Sequence, residues 1–365
     1  MNGIPTTGQL IMQKSFSDLE YAAKKKLTRR DRFLARIDSV TPWSKLHEAI
    51  EPFYPKVEGA GRPPIRLARM LRMYVARQCF GLSDEGIEDA IYDSQAIRGF
   101  VGIDLHCESV PDATTLLKFR RLLEIHELTR KIFDTINGHL AAQVLMMREG
   151  TIVDATLIAA SPSTKNKDKK RDPGMHQSKK GNDWHFRLKA HIGVDSASGL
   201  VHTVIGTAGN VLDVTQAHAL VHGDEVAAIG DAGYQGVEKR EENLGKSVTW
   251  HVAMKRSKRK ALPNNKLGRM MEKLEHLKAS VRSKVEHPFH VVKNLFRHRK
   301  ARYVVWQRTQ RNCLRCSASR IWCSLAGNLW SLKPELRPED ERAGEIPQIA
   351  RICAEICLEF ENFNC

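Results

Sequence analysis

The spacing of hydrophobic residues differs between the two halves of the chain. Up to about residue 140, apolar residues recur every three or four positions, as they do on amphipathic helices. Between 65 and 80 this stripe consists of Leu67, Met70, Leu71, Tyr74 and Val75. Helix-start residues precede several stripes, namely Pro42, Ser83 and Asp112. The pattern predicts a mostly helical region over 15–140.

From residue 150 the pattern becomes typical of β-strands. Residues 151–158 are β-branched and apolar, and strands at 188–194 and 200–205 flank a turn at 195–199. A helix at 213–222, strands at 226–231 and 247–254 and a closing helix follow. This order predicts a ribonuclease-H-like α/β core, a mixed sheet flanked by helices, after an all-α N-terminal domain.

Residues 161–183 are poor in apolar side chains and rich in lysine, including Lys169, Lys170 and the neighbouring Arg171. We predict a flexible basic loop here, which either contacts a phosphate backbone or is simply solvated. The resulting domain boundaries are 14–140 for the helical N-terminal domain, 148–303 for the α/β domain and 304–365 for an atypical tail.

The closing helix is predicted to run from 281 to 296. Its apolar stripe is Val281, Val285, Phe289, Val292 and Phe296. Arg282, Glu286 and Lys293 lie four and seven residues apart and share one face. Taken alone, this face is better explained as a solvent-exposed salt-bridge pattern than as a site.

Two further carboxylates change that interpretation. Asp154 lies within the first predicted strand and Asp231 ends the fourth, while Glu286 is on the helix packed against them. Three carboxylates converging from two strands and a helix can hold two divalent cations for phosphodiester chemistry. Each aspartate also has an ordinary explanation, Asp154 as a strand-edge charge and Asp231 as a turn or cap residue. A charged residue inside an apolar strand is unfavourable unless it is paired, which favours a functional role for Asp154.

The net charge of +16 predicts a polyanionic partner, most simply nucleic acid. The excess is concentrated between 251 and 303, where 16 Lys and Arg oppose 3 Asp and Glu, a surplus of 13. The helical half also carries cations: Arg62, Arg66, Arg69, Arg72, Lys118, Arg120 and Arg121. They suit either a helix-turn-helix-like DNA-binding bundle or a plain packing domain.

Neither a transmembrane run nor a signal-peptide pattern is visible, so we expect a soluble intracellular protein with no membrane partner. Six of the eight cysteines fall in the last 62 residues. The Cys313 and Cys316 pair has no second pair at matching spacing, which argues against a zinc site there.

Long motifs occur in order through most of the chain. They lie at 61–65, 82–85, 92–94 and 110–119 in the helical half, and at 154–160, 189–195, 230–236 and 281–289 in the second half. Over residues 14–303 the sequence resembles the DDE transposases of bacterial insertion sequences, in the branch named for insertion sequence five within the insertion-sequence-four-like superfamily.

The resemblance implies that Asp154, Asp231 and Glu286 are the catalytic, metal-binding triad. It implies two Mg²⁺ or Mn²⁺ ions, and double-stranded DNA as partner, both the terminal inverted repeats and the target. Arg282 and Lys293 match the superfamily's phosphate-contacting positions, whereas the tyrosine position is Ala279. We further expect a homodimer or higher assembly on DNA, in the bacterial cytoplasm at the nucleoid.

Two other functions remain compatible with the sequence. One is a DNA-binding protein without catalysis, which holds the element's ends and inhibits intact copies. The other is a stand-alone ribonuclease-H-like nuclease, which cuts without joining strands. Metal-dependent cleavage that Asp231→Asn abolishes, with DNA binding retained, separates catalysis from binding alone.

The tail after Tyr303 departs from the family pattern. It loses the positive charge, with 8 Lys and Arg against 8 Asp and Glu over 304–365, and it is rich in cysteine. A one-base deletion after the Tyr303 codon converts the family's usual ending into the observed 304–313 sequence. We therefore predict that 304–365 is frameshifted and that this copy is inactive, a genuine divergent tail being the alternative.

Overall fold

The computed structural model describes residues 21, 23–56, 63–143, 146, 149–165, 171, 175–180, 182–295 and 299–301. The predicted tail at 304–365 and the loop residues Lys169 and Lys170 lie outside this set. Within it, each helix is too short or too polar to cross a membrane.

The first half is helical, as predicted. Its helices are α1 (Arg29–Val40), α2 (Trp43–Ile50), α3 (Leu67–Phe80), α4 (Asp84–Asp93), α5 (Gln95–Val101), α6 (Ala113–Ile125) and α7 (Leu128–Ala142). Ser83 and Asp112 act as N-caps, because their side chains accept the backbone N–H of residues three positions later. The predicted apolar stripe of α3 is buried.

Several arginines of this half are held by acidic side chains of neighbouring helices. Arg69 pairs with Glu108, and Arg72 Nη1 is 2.7 Å from Asp38 Oδ1. Arg120, only 6% exposed, pairs with Asp84. Arg69 and Arg72 are half-buried, and a cation that already has an acidic partner is less available to a phosphate backbone. For these three arginines the packing explanation is therefore favoured over DNA contact.

The second half contains one six-stranded mixed sheet. Its strands are β1 (Gly150–Ala159), β2 (His176–Lys180), β3 (Asp183–Asp195), β4 (Val201–Ala208), β5 (Ala227–Gly230) and β6 (Thr249–Val252). The order is β2–β3–β1–β5–β6, with β4 also paired to β3. β1, β3 and β4 are antiparallel, whereas β5 and β6 run parallel to β1. Three antiparallel strands followed by two parallel ones give the ribonuclease-H-like core that the sequence predicts.

Helices cover both faces of this sheet. α8 (Asp213–Leu220) packs with Val153, Ala228 and Trp250 on one face. The opposite face, with Ile152 and Ile229, packs against α10 (Lys266–Ser283) and α11 (Glu286–His290) in a core that extends into the N-terminal helices. A short helix, α9 (Arg256–Lys260), precedes α10.

The structure corrects the predicted loop at 161–183. Residues 176–180 form β2, which pairs with 183–187 at the start of the long strand β3. The sequence His-Gln-Ser-Lys-Lys has no apolar alternation, so a periodicity argument does not detect it. Backbone pairing with β3 defines this strand instead.

The predicted continuous helix at 281–296 is also corrected. α10 ends at Ser283, α11 begins at Glu286, and 291–295 forms a π-turn. Pro288 has no N–H to offer the carbonyl of residue 284, and the bonds at 284 and 285 are of the tighter three-residue type. The apolar stripe survives the break, since Val281, Val285, Phe289 and Val292 are all buried.

Candidate active site

Asp154 and Asp231 lie on neighbouring parallel strands at matching positions. β1 pairs with β5 from Gly150↔Ala227 to Val153↔Gly230, so each aspartate is the next residue after the last pair. Neighbouring strands are about 5 Å apart, which brings the two side chains to one point of the sheet. This is the adjacency that the positions in the sequence predict.

The third carboxylate and a cation come from the helices on the same face. Strand alternation puts Asp154 on the side of Ile152, which α10 and α11 cover. Arg282, near the end of α10, has Nη1 3.9 Å from Asp154 Oδ2. The cation of Arg282 therefore lies beside Asp154, the carboxylate on β1.

The carboxyl of Asp154 is harder to ionise than an exposed one. Its pKa is raised to about 6, chiefly by burial and to a smaller extent by the nearby charges of Asp231 and Glu286. The backbone N–H of Ala155, 2.7 Å from Oδ1, and the guanidinium of Arg282 act in the opposite direction. One cation at 3.9 Å does not compensate three carboxylates, which is the condition in which a site attracts further cations.

Glycines in the segment after β5 position Asp231. Its Oδ1 accepts the N–H of Gly233 at 2.9 Å, and a Cβ at Gly233 would lie at the same 2.9 Å from that oxygen. A Cβ at Gly230 would lie 3.1 Å from the ring of Tyr234. Both positions therefore need glycine for close approach.

Tyr234, which the sequence did not single out, lies in the apolar cluster on the α8 face, close enough for the charges of Asp154 and Asp231 to act on its hydroxyl. It is fully buried, and among the described residues its hydroxyl has no hydrogen-bond partner. Burial raises the pKa of Tyr234, and the charges of Asp213, Asp154 and Asp231 raise it further, so the phenol is neutral. In the sequence, the feature that points to Tyr234 is its position in the 230–236 motif.

A second buried polar group lies on the α8 face of the sheet. Lys189 Nζ is 3.0 Å from Asp213 Oδ1, and His191 Nδ1 is 3.6 Å from the same oxygen. Burial lowers the pKa of His191 to about 4, so the ring is neutral. His191 pairs with Ala155, directly beside Asp154, so this group supports the strand that carries the first carboxylate.

The remaining predicted residues are less closely gathered. Lys293 is half-buried in the π-helical segment 291–295. Ala279 is exposed on α10, and its methyl group has neither the ring nor the hydroxyl of the tyrosine that the resemblance leads one to expect there. Arg171 is exposed and lies over the ring of Phe186, 5.6 Å from its centroid. Exposed cations cluster beyond β6, on α9 and the start of α10: Lys255, Arg256, Lys258, Lys260, Lys266, Arg269 and Lys273.

Two family models match the chain, one in each half. Residues 22–122 match the model described as Transposase domain (DUF772), and residues 146–322 match the Transposase DDE domain. The three carboxylates lie inside the second match. Among solved structures, the chain is similar to the piggyBac transposase in a cryo-EM synaptic complex with hairpin DNA, at 9% identity and a TM-score of 0.39, over 90% of this chain and 80% of that chain.

Proposed function

Because this chain belongs to the DDE transposases, we propose that Asp154, Asp231 and Glu286 are its catalytic triad. The observation that carries the proposal is the register of β1 and β5, which makes the two aspartates neighbours on the face covered by α10 and α11. We propose further that the element is bacterial and belongs to the insertion sequence five branch.

The residues fit a pair of divalent cations. All three are hard carboxylate oxygen donors, and the charges of Asp231 and Glu286 both act on Asp154, where Arg282 supplies one cation at 3.9 Å. Asp154, Asp231 and Glu286 would hold Mg²⁺ or Mn²⁺. When bound, the ions supply activation of the attacking oxygen and stabilisation of the leaving oxygen.

The protein's own side chains prepare this site. The N–H of Gly233 orients Asp231, and the N–H of Ala155 orients Asp154, so both carboxylates are fixed before DNA arrives. The chemistry proposed is hydrolysis of a phosphodiester at each element end, which releases a 3′-hydroxyl, followed by attack of that hydroxyl on a target phosphodiester. Water supplies the first nucleophile, and the displaced 3′-oxygen of the target is the second leaving group.

We propose that the DNA runs over the cations beyond β6. β6 lies beside β5, and the N–H of Ala253 donates to the carbonyl of Gly230, the residue before Asp231. The exposed cations before and on α9 therefore follow directly after the strand end that is next to Asp231. Phosphate contacts of this kind give salt-dependent, sequence-independent affinity. Arg282 and Lys293 would contact phosphates closer to the carboxylates, once DNA replaces the present partners of Arg282. Arg171 and the lysines beside it, Lys169 and Lys170, stay predicted contacts.

The test is a nicking and joining assay with Mg²⁺ on a plasmid that carries the element's ends, and the parent protein is the version whose reading frame is restored after the Tyr303 codon. Asp231→Asn and Glu286→Gln are expected to abolish both products and to retain DNA binding in a gel-shift assay. The matched control is Asp134→Asn, an exposed aspartate on α7 that pairs with Arg130, four residues earlier. Full activity of Asp231→Asn would exclude the triad, and nicking without joining would support the nuclease alternative.

The tail is a separate proposal. We propose that 304–365 is read out of frame, so the helix that should cover the sheet after Glu286 is missing. Without that helix, apolar core residues are exposed to water, which lowers the free energy of unfolding by several kcal/mol, on the order of the total free energy of unfolding of a domain. The chain should then aggregate or fail to nick, whereas a version with the base restored should be active. Sequencing the gene after the Tyr303 codon decides the matter directly.

A further inference from the structure

Two histidines and a glutamate from separate segments meet at the other end of the sheet. His202 lies on β4, and His222 and Glu225 lie in the loop between α8 and β5. One potential ligand atom of each lies within 4.8 Å of the other two, and in the described part of the chain no other three metal-ligand side chains come this close. Thr151, which contacts this group, is three residues before Asp154, or about 10 Å along β1.

The separation between His222 and Glu225 matches that between two ligands of a small tetrahedral ion. His222 Nε2 is 3.4 Å from Glu225 Oε1. Two ligand atoms bound to one ion at about 2.0–2.1 Å in tetrahedral geometry stand about 3.3–3.4 Å apart. The rings of His202 and His222 are 5.0 Å apart at 76°, so they approach a common point without stacking.

The second nitrogen of each ring is held by a polar neighbour. His202 Nδ1 is 2.9 Å from Thr203 Oγ1. His222 Nδ1 is 3.6 Å from Asp224 Oδ2 and accepts the backbone N–H of Asp224 at 3.3 Å, and His202 Nε2 is 3.0 Å from Thr151 Oγ1. These bonds place the proton of each neutral ring on Nε2. An ion at the two Nε2 atoms would take the place of those protons, which would move to Nδ1, beside Thr203 Oγ1 and the Asp224 carboxylate, the usual support of a zinc-bound histidine.

Glu225 has a carboxylate suited to the same role. Its side chain is fully buried. Oε1 accepts the hydroxyl of Thr151 at 2.9 Å and the N–H of His222 at 2.6 Å, and Oε2 accepts the N–H of Gly223 at 2.7 Å. These bonds fix the carboxylate, but they leave a buried negative charge between two imidazoles. A divalent ion neutralises that charge, which hydrogen bonds alone do not.

We propose that His202, His222 and Glu225 bind one Zn²⁺ ion, apart from the carboxylate site. Imidazole nitrogen with one carboxylate favours zinc over Mg²⁺, which prefers oxygen ligands. The ion ties strand β4 to the loop that leads into β5. Because Asp231 directly follows β5, the ion is structural support for the element that carries this carboxylate.

Cobalt titration of the purified full chain tests the site, because Co²⁺ replaces Zn²⁺ and absorbs visible light when it is tetrahedral. After removal of metal with a chelator, one equivalent of Co²⁺ should give this absorption and Zn²⁺ should displace it. His222→Gln and Glu225→Gln should lose the absorption. Asp154→Asn should keep it, as should His218→Gln, whose Nδ1 contacts only the carbonyl of Thr215.

Each outcome decides the question. Absence of the absorption in the wild-type chain overturns the proposal without any variant, as does its survival in His222→Gln and Glu225→Gln. Loss in Asp154→Asn would assign the ion to the carboxylates and also overturns it. If the two cluster variants do not fold, X-ray absorption of the zinc-loaded wild type substitutes for them. Two imidazole ligands are then expected, and oxygen ligands alone would contradict the site.

Discussion

Replacing Asp154 with asparagine should make the metal-free protein more stable at neutral pH. Only 15% of the side chain is exposed, and its negative charge is close to those of Asp231 and Glu286. Asparagine has nearly the same shape, and its oxygen can still accept the N–H of Ala155. The substitution therefore removes the charge and little else.

The expected size follows from the pKa. The carboxyl of Asp154 titrates at about 6 in the folded chain against an ordinary 3.8, a difference of about 2 pH units. At about 1.4 kcal/mol for each unit, ionised Asp154 lowers the free energy of unfolding by at most about 3 kcal/mol. Part of the charge reaches water, so we expect a measured gain for Asp154→Asn of about 2 kcal/mol at pH 7.5.

The sign of the pH dependence provides the check. Between pH 3.8 and 6 the folded state holds more protons than the unfolded state, so the free energy of unfolding falls as the pH rises. The gain from Asp154→Asn should be full above pH 6 and absent below about pH 4, in urea unfolding followed by circular dichroism. The exposed control Asp134→Asn should show no such trend. A variant that is less stable at pH 7.5, or equally stabilised at pH 4, would refute the electrostatic reasoning.

Three further substitutions test the surroundings of the site. Arg282→Ala removes the cation 3.9 Å from the first aspartate, so the pKa of that carboxyl should rise and half-maximal nicking should move to higher pH; an unchanged pH profile would contradict this. Gly230→Ala puts a Cβ 3.1 Å from a buried ring and should lower the free energy of unfolding by about 1–3 kcal/mol in thermal unfolding. Its control is Gly138→Ala, in a helix where the added Cβ meets nothing within 4 Å, which should raise the free energy of unfolding by about 1 kcal/mol. Tyr234→Phe deletes a buried hydroxyl without a partner among the described residues and should be neutral or stabilising. Tyr54→Phe, which loses a 2.6 Å bond to a backbone carbonyl, should destabilise by about 1 kcal/mol, and the opposite order would count against the hydrogen-bond assignments.

Sequence reasoning succeeded where local chemistry decides the structure. The caps at Ser83 and Asp112 and the hairpin turn at 195–199 depend on neighbouring residues alone, and the structure confirms them. The adjacency of Asp154 and Asp231 was also predictable, because Asp154 lies within the first strand and Asp231 follows the end of a neighbouring parallel strand. The catalytic assignment of these residues stays a prediction.

The failures have a different physical origin. β2 is held by pairing with β3 and has no apolar alternation, so only the tertiary partner reveals it. The break before Glu286 could have been anticipated from Pro288, but the apolar stripe was given more weight than the missing N–H. His202, His222 and Glu225 come together only through folding, since each is unremarkable at its own place in the sequence.

The break between α10 and α11 separates the exposed cations of α10 from the carboxylate of Glu286. The exposed face of α10 carries cations such as Lys266, Arg269 and Lys273, whereas Glu286 begins a new helix three residues after Ser283. A change on that face, or a bend along α10, is not passed rigidly to Glu286, which the buried Val285 and Phe289 hold against the sheet. Under the proposed function, the surface that meets DNA is therefore free to diverge between elements while the position of the acid stays constant.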